Sequence, residues 1–339
     1  MDLEEFGNEP YDELAKEEDV YYSYRLILGR NPDIGGWRDF TSKLGNLNVH
    51  DLASYFLTSP EFKSRKVFQA MVGASPEEKP VLVDLGEYKQ FVSPNDVAVG
   101  QAIMREGVYE PHVTNALKGV LNPAVVLVDI GANIGYFSLL AAQRVGAHGK
   151  VLAFEPNQYN CSLLNMSARV NRFDNIYVYP LAVADKWTAF VYDHLEGSNG
   201  VASEEIAFEI DEDYADRLVH RTLVSSAKLD DLLHGIERLD VIKIDVEGAE
   251  YRALTGAKGL IQTHRPIIFS EFSPGGLRLF SGVCGEDYLL MLTGEDYHIS
   301  ILEWEGNVVE CGQDVERVLR YSEEQAEKGF DHIDIVANP

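Results

Sequence analysis

Apolar and polar positions change rhythm near residue 80. Before it, apolar residues recur at helical spacing. Tyr21–Leu28 reads as a helix ended by Gly29, Trp37–Leu44 as a second ended by Gly45, and Val49–Leu57 as a third. Asn31-Pro32-Asp33 and Gly35-Gly36 form a loop between the first two. Ser59–Gln69 is a fourth helix, with Ser59 as N-cap, Pro60 at N1 and Glu61 in the first turn. Residues 74–80 (ASPEEKP) read as a linker. After it, short apolar runs alternate with helical patterns. The candidate strands are Val125–Asp129, Val151–Phe154, Ile176–Tyr179, Val241–Asp245, Ile267–Glu271, Ile299–Leu302 and Ile333–Ala337. This alternation predicts an α/β fold, a parallel sheet with helices on both faces. The predicted organisation is an acidic arm (1–20), a helical accessory domain (21–75) and an α/β domain (81–339).

Ligands of such sheets sit at the carboxyl ends of the strands. The first central strand ends in Asp129, and a glycine-spaced turn follows: Gly131, Asn133, Gly135. Tyr136 then opens a helix. A turn of this kind lets backbone N–H groups and the positive helix end approach a polar ligand. The spacing is G-x-N-x-G, with Asn133 and Tyr136 where a dinucleotide fold wants its second and third glycines. A nucleoside without a diphosphate fits better, and S-adenosylmethionine is the candidate.

Other chemistry-bearing residues fall at the following strand ends. Glu155 closes the second strand, 24 positions after Gly131, where an acid accepts both hydroxyls of a ribose. Glu110, in Gly107–Pro111, faces the cofactor's ammonium or simply starts a helix. Ala182, in Leu181–Asp185, borders an adenine ring or packs in the core. Asp245 and Glu247, two apart in Lys243–Glu250, point the same way if the segment is extended, with Gly248 turning the chain and Lys243 as the paired cation. Glu271 ends the fifth strand beside them. His194 lies in a polar loop, Tyr192–Gly200, and is a candidate base; His264 caps a helix end.

Charge and cysteines narrow the partners. The chain carries 29 basic and 55 acidic residues, a formal net charge of −26. No cationic field collects phosphates, so nucleic acid is disfavoured as partner and a neutral hydroxylated acceptor is favoured. Cys161, Cys284 and Cys311 are odd in number and far apart, with no zinc or disulfide spacing. A reducing cytoplasm is the default compartment, and peripheral association with the inner membrane face is compatible with it. The first 20 residues are too acidic for a signal peptide, and no apolar run reaches the roughly 18 residues of a transmembrane span.

Two resemblances carry the reading further. Val128–Tyr136, Phe154-Glu155-Pro156, Lys228–Leu232 and Lys243–Glu250, in that order, resemble the FkbM family of S-adenosylmethionine-dependent methyltransferases over roughly residues 81–339. The resemblance implies a class I methyltransferase fold, a Rossmann-like seven-stranded sheet whose final strand enters antiparallel. It also implies transfer to a hydroxyl, known members acting on macrolide or sugar hydroxyls. The turn, Glu155 and Asp245–Glu247 carry over as site residues; the acceptor does not. The segment Tyr24–Arg30 with Pro32-Asp33 and Gly35 is similar to a small helical domain of bacterial cell-surface and polysaccharide-related proteins, which implies docking to polysaccharide-assembly proteins. The expected reaction is O-methylation of a glycan or of a small hydroxylated metabolite. The cofactor-binding set is Glu110, Asp129, Gly131, Asn133, Gly135, Glu155 and Ala182. Asp245, Glu247, Glu271 and His194 are the candidates for proton removal, with Asp245 and Glu271 holding a Mg²⁺ as the alternative. A nicotinamide oxidoreductase and a non-catalytic nucleoside-binding module are the competing classes.

Overall fold

A computed structural model describes residues 14–27, 32–59, 79–195, 201–203 and 218–339. The chain divides into two compact units, Met1–Pro76 and Glu77–Pro339.

In the smaller unit, α1 (Glu17–Ile27), α2 (Ile34–Thr41) and α3 (Val49–Thr58) enclose Val20, Tyr24, Phe40, Leu52 and Phe56. The Tyr24 ring meets Phe56 edge-on at 4.7 Å, and Phe40 stacks on Phe56 at 4.9 Å. Helix α1 begins four residues before the expected start at Tyr21. Glu17, Glu18 and Asp19 fill its first turn, where carboxylates oppose the helix dipole. The end of the expected acidic arm is therefore helix. Helix α2 starts three residues before Trp37 because Asp33 caps it, accepting from the Gly36 N–H at 2.8 Å. Gly35 and Gly36 lie in this helix rather than in a loop. A Cβ on Gly36 would collide with the Tyr24 hydroxyl, so glycine lets α1 and α2 close. Ser59 closes α3. Gly29, the expected helix beyond Ser59 and most of the linker lie outside the described residues.

The larger unit opens with a hairpin, β1 (Val81–Asp84) and β2 (Lys89–Val92), then α4 (Gly100–Glu106) and α5 (Pro111–Val120). The glycine segment follows as β3 (Val126–Ile130), α6 (Tyr136–Val145), β4 (Lys150–Phe154), α7 (Gln158–Asn171) and β5 (Ile176–Tyr179). Next come β6 (Ala182–Val183), β7 (Thr188–Leu195), β8 (Val201–Ser203) and β9 (Leu218–Ala227). The second half holds α8 (Leu229–Leu232), β10 (Val241–Ile244), α9 (Glu250–Thr255), α10 (Lys258–His264) and β11 (Ile267–Phe272). It closes with α11 (Gly285–Gly294), β12 (His298–Leu302), β13 (Val308–Gly312), α12 (Val315–Glu327) and β14 (Ile333–Asn338). His264 is the last residue of α10, and its neighbour Arg265 makes the cap.

The main sheet runs β13-β12-β14-β11-β10-β3-β4-β5, with β14 antiparallel to both β11 and β12. This is the class I methyltransferase fold. All seven candidate strands are present, and β13 adds an eighth at the edge, antiparallel to β12. A separate sheet of order β6-β9-β7-β8 has no counterpart in the sequence reading. Strands β7 and β9 are far apart in sequence and pair antiparallel from Thr188↔Ser226 to Leu195↔Leu218. Their alternating polar residues look like loop until the partner strand is known. Residues 204–217, between β8 and β9, lie outside the described residues.

The main sheet has a core on each face. Val128, Ile130, Ile242, Ile244 and Ile268 pack on one side, and Leu127, Val241 and Phe269 on the other with Val113, Phe137 and Leu164. Side chains alternate along a strand, so residues of the second parity share the face of α5, α6 and α7. Asp129, Lys243, Glu271 and Asp334 have that parity. Lys243 is in register with Asp129, and Glu271 with Asp334. Four charged side chains thus converge on one face at one end of the sheet.

Candidate active site

The turn after β3 is built for close approach of backbone. Gly131 has φ 78° and Gly135 φ 87°, with Asn133 at φ 52° between them. A Cβ on Gly131 would collide with the Asp245 carbonyl oxygen at the end of β10, and one on Gly135 with the Leu164 side chain on α7. The turn's N–H groups are spent inside the protein. Those of Gly131 and Ala132 donate to the Phe154 carbonyl at 2.9 and 3.0 Å, and that of Gly135 to Ala132. Asn133 N–H donates to Glu155 Oε2 at 2.8 Å, and Ile134 N–H to Asn133 Oδ1 at 2.7 Å. The sequence reading had these groups facing a ligand. The structure corrects it: the glycines bring strand ends together, and no cradle of free N–H groups is left for a pyrophosphate.

Glu155 is 4% exposed, and its oxygens accept from Asn133 and, at 2.7 Å, from Asn157 N–H. Burial pushes its carboxyl up to about 7, against the pull of these two backbone bonds. The Asn160 side chain also donates to it, which leaves lone-pair capacity for one further donor. Asp129 is fully buried. Ser138 Oγ donates to its Oδ2 at 2.6 Å, while Oδ1 has no partner among the described residues. Ala182 sits in β6, three positions beyond the end of β5, and pairs with Ser226.

The converging charges surround a small pocket lined by Glu110, Lys243, Asp245, Phe269, Glu271 and Asp334 among others. Lys243 Nζ lies 3.0 Å from Asp245 Oδ2 and 4.8 Å over the Phe137 ring. Burial pulls the Lys243 ammonium down, but Asp245, Asp129 and Glu110 outweigh it and raise it above the ordinary lysine range. Glu110 takes a left-handed φ of 40° as the residue before α5. Part of it reaches solvent, yet the surrounding protein, then Asp334 and Asp245, push its carboxyl up to about 8. Glu271 rises further, to about 11, through burial and the charges of Asp245, Glu250, Glu247 and Asp334. Glu271 and Asp334 are direct cross-strand neighbours, and a proton on Glu271 relieves their repulsion.

Two expectations about this cluster are corrected. Glu247 is exposed with φ 56°, so the chain turns one residue before Gly248 and Glu247 does not share the direction of Asp245. Buried Glu250 shapes that turn, its Oε1 accepting from Val246 N–H at 2.9 Å and Gly248 N–H at 3.2 Å. A Mg²⁺ on Asp245 and Glu271 does not fit. Lys243 already serves as the cation at Asp245, 3.0 Å from its Oδ2. Among the described residues no group of three or more His, Cys, Asp or Glu is placed to hold a metal. His194 is also relocated: its backbone is in β7, paired with His220 of β9, rather than in a loop, and its side chain lies outside the described set.

The sequence reading missed His112 and Asp334. His112, on α5, is buried, and its Nε2 lies 2.7 Å from Asp334 Oδ2 across 222 positions of chain. No local signal joins them; only the placement of the last strand inside the sheet does.

The sheet order and its antiparallel β14 define the fold class, that of the class I methyltransferases. Residues 129–324 match the Methyltransferase FkbM domain, and the chain belongs to that family. It is 26% identical to Methyltransferase sdnD of Sordaria araneosa over 206 residues, 52% of this chain and 77% of that protein. It is 31% identical over 169 residues to the AMB antimetabolite synthetase AmbE of Pseudomonas aeruginosa, covering 40% of this chain but 8% of that much longer protein. A solved FkbM methyltransferase from Methylobacillus flagellatus is 16% identical, with a TM-score of 0.38 over 93% of this chain and 58% of that one. Among the described residues no helix is long and apolar enough to cross a membrane.

Proposed function

We propose that this chain transfers a methyl group to a hydroxyl of a neutral sugar, in a surface polysaccharide or its precursor. The observation that carries the reading is the pocket at the ends of β10, β11 and β14, lined by carboxyl groups around one buried lysine. Carboxyl groups accept hydrogen bonds from a polyol, whereas they repel a phosphate-rich acceptor. The net charge of −26 supports the same choice. When bound, S-adenosylmethionine supplies an electrophilic methyl group on a sulfonium.

The chain's own residues divide the remaining work. Glu155 binds a ribose hydroxyl with its spare lone pair. The unpartnered Oδ1 of Asp129 is a buried acceptor ready for an ammonium or water-bridged donor, which is what the nucleoside's amino-acid tail offers. Glu110 lines the same pocket as Asp245 and, where it ionises, favours a cationic donor. A sugar hydroxyl is a poor nucleophile and must lose its proton as the new bond forms. Asp245 is the acceptor of that proton at Oδ1, while Lys243 holds Oδ2 and fixes the carboxylate. Glu271, protonated, donates to an acceptor oxygen. In this reading the helical unit docks to polysaccharide-assembly proteins on the cytoplasmic face of the membrane.

A second reading, methylation of a small hydroxylated metabolite, is supported by the similarity to a segment of an antimetabolite synthetase. The test is incubation with methyl-labelled S-adenosylmethionine against a panel of glycosides and of hydroxylated small metabolites, with products read by mass spectrometry. Label as a sugar methyl ether supports the first reading, and label on metabolites alone replaces it with the second. Label on nitrogen overturns both.

A further inference from the structure

Asp334 stands out in the pocket. It is 8% exposed, lines the pocket wall, and faces Glu271 across paired strands. Its Oδ2 is held by His112 Nε2 at 2.7 Å, and its Oδ1 has no hydrogen-bond partner among the described residues. The His112 ring is clamped against Trp304, centroids 4.4 Å apart, and its Nδ1 is buried without a partner. A buried imidazole whose one satisfied nitrogen serves a pocket carboxylate fixes that carboxylate's orientation. It leaves the other carboxylate oxygen of a pocket-lining residue, Oδ1, open to accept from a further donor.

We propose that Asp334 binds a hydroxyl of the methyl acceptor through Oδ1, and that His112 is the positioning residue that holds it there. Asp334 then grips a hydroxyl close to the one methylated, and Asp245, just past the end of β10, serves the reacting one. Strand β14 is two strands from β10 in the sheet, with β11 between them, so the two carboxylates address different parts of a polyol. The acceptor class is a vicinal or closely spaced polyol, and an acceptor with an isolated hydroxyl loses this contact. The proposal rests on the methyl-transfer reading of the pocket.

The experiment uses the full chain with carboxyl-¹³C aspartate, titrated with glycerol as the smallest polyol probe and observed by NMR. The Asp334 signal is assigned by its loss in Asp334→Asn. The Asp240 carboxyl, engaged by Arg238 and the Val126 N–H, is the reference outside the pocket. Glycerol is expected to shift Asp334 saturably and Asp240 only linearly. His112→Gln keeps a donor at the reach of Nε2 and should keep the response. His112→Phe should weaken it about tenfold, the loss expected when a hydrogen bond to a charged group goes. An Asp334 signal that follows Asp240 in the wild type overturns the proposal, whether or not His112→Phe folds. An equal response in His112→Gln and a folded His112→Phe overturns the positioning role. Calorimetry with S-adenosylhomocysteine separates the two levels: failure of that ligand to bind sinks the methyl-transfer reading, whatever glycerol does at Asp334.

Discussion

At the scale of single residues, Gly131 joins two strand ends that nothing larger would let meet. It has a positive φ of 78°, and a side chain there would strike the Asp245 carbonyl. Gly131→Ala is therefore expected to destabilise the fold by about 3 kcal/mol through strain and collision combined. The lowered midpoint in thermal unfolding should be accompanied by weaker binding of S-adenosylhomocysteine. An unfolding midpoint within error of the wild type would remove Gly131 from this role. Glu155 makes a different demand. Its carboxylate orders Asn133 and Asn157, and under the proposed function it also takes the ribose of the donor nucleoside. Glu155→Gln should weaken S-adenosylhomocysteine about 10- to 100-fold, the range for losing a charged hydrogen-bond acceptor. Calorimetry checks it, and unchanged affinity would assign the ribose to another residue. The turn at Gly131 and the strand-end position of Glu155 were legible because each belongs to a short contiguous motif. Glu247 was misread because the left-handed turn begins at a non-glycine residue, where local sequence carries little warning.

At the scale of elements, β3, β10, β11 and β14 bring Asp129, Lys243, Glu271 and Asp334 onto one face by register alone. The sign of the resulting pH dependence follows from Glu271. Its carboxyl is held at about 11 in the folded chain against an ordinary 4.5. Between those values the unfolded chain sheds a proton that the folded chain keeps, so Glu271 makes stability fall as pH rises from about 4.5 towards 11. Below 4.5 both states hold the proton and this contribution to stability is fully present. Glu271→Gln should flatten the decline and raise the unfolding midpoint at pH 9 by a few degrees, with little change at acid pH. Thermal scans across pH read it directly, and parallel curves for the two proteins would show that Glu271 ionises normally. The central strands were legible from their apolar runs and strand-end acids. The second sheet was not, because β7 and β9 acquire their meaning only from each other. The same holds for His112 and Asp334, which meet only once β14 is inserted between β11 and β12.

At the scale of the whole molecule, charge and donor set define what the enzyme needs and avoids. A net charge of −26 leaves no broad cationic surface, so polyanions such as heparin should neither bind nor inhibit, even at low salt where such binding is strongest. Inhibition that disappears with added salt would expose a basic patch missing from this account. The Lys243–Asp245 pair occupies the position that the alternative gave to a divalent ion, so EDTA should leave turnover unchanged. The most direct test of the central claim, that this site binds the sulfonium donor, is calorimetric titration of the full chain with S-adenosylmethionine, S-adenosylhomocysteine and NAD, each with EDTA and with Mg²⁺. The account predicts binding of the first two, no binding of NAD, and no difference between EDTA and Mg²⁺. Binding of NAD alone, or of none of the three, would contradict it.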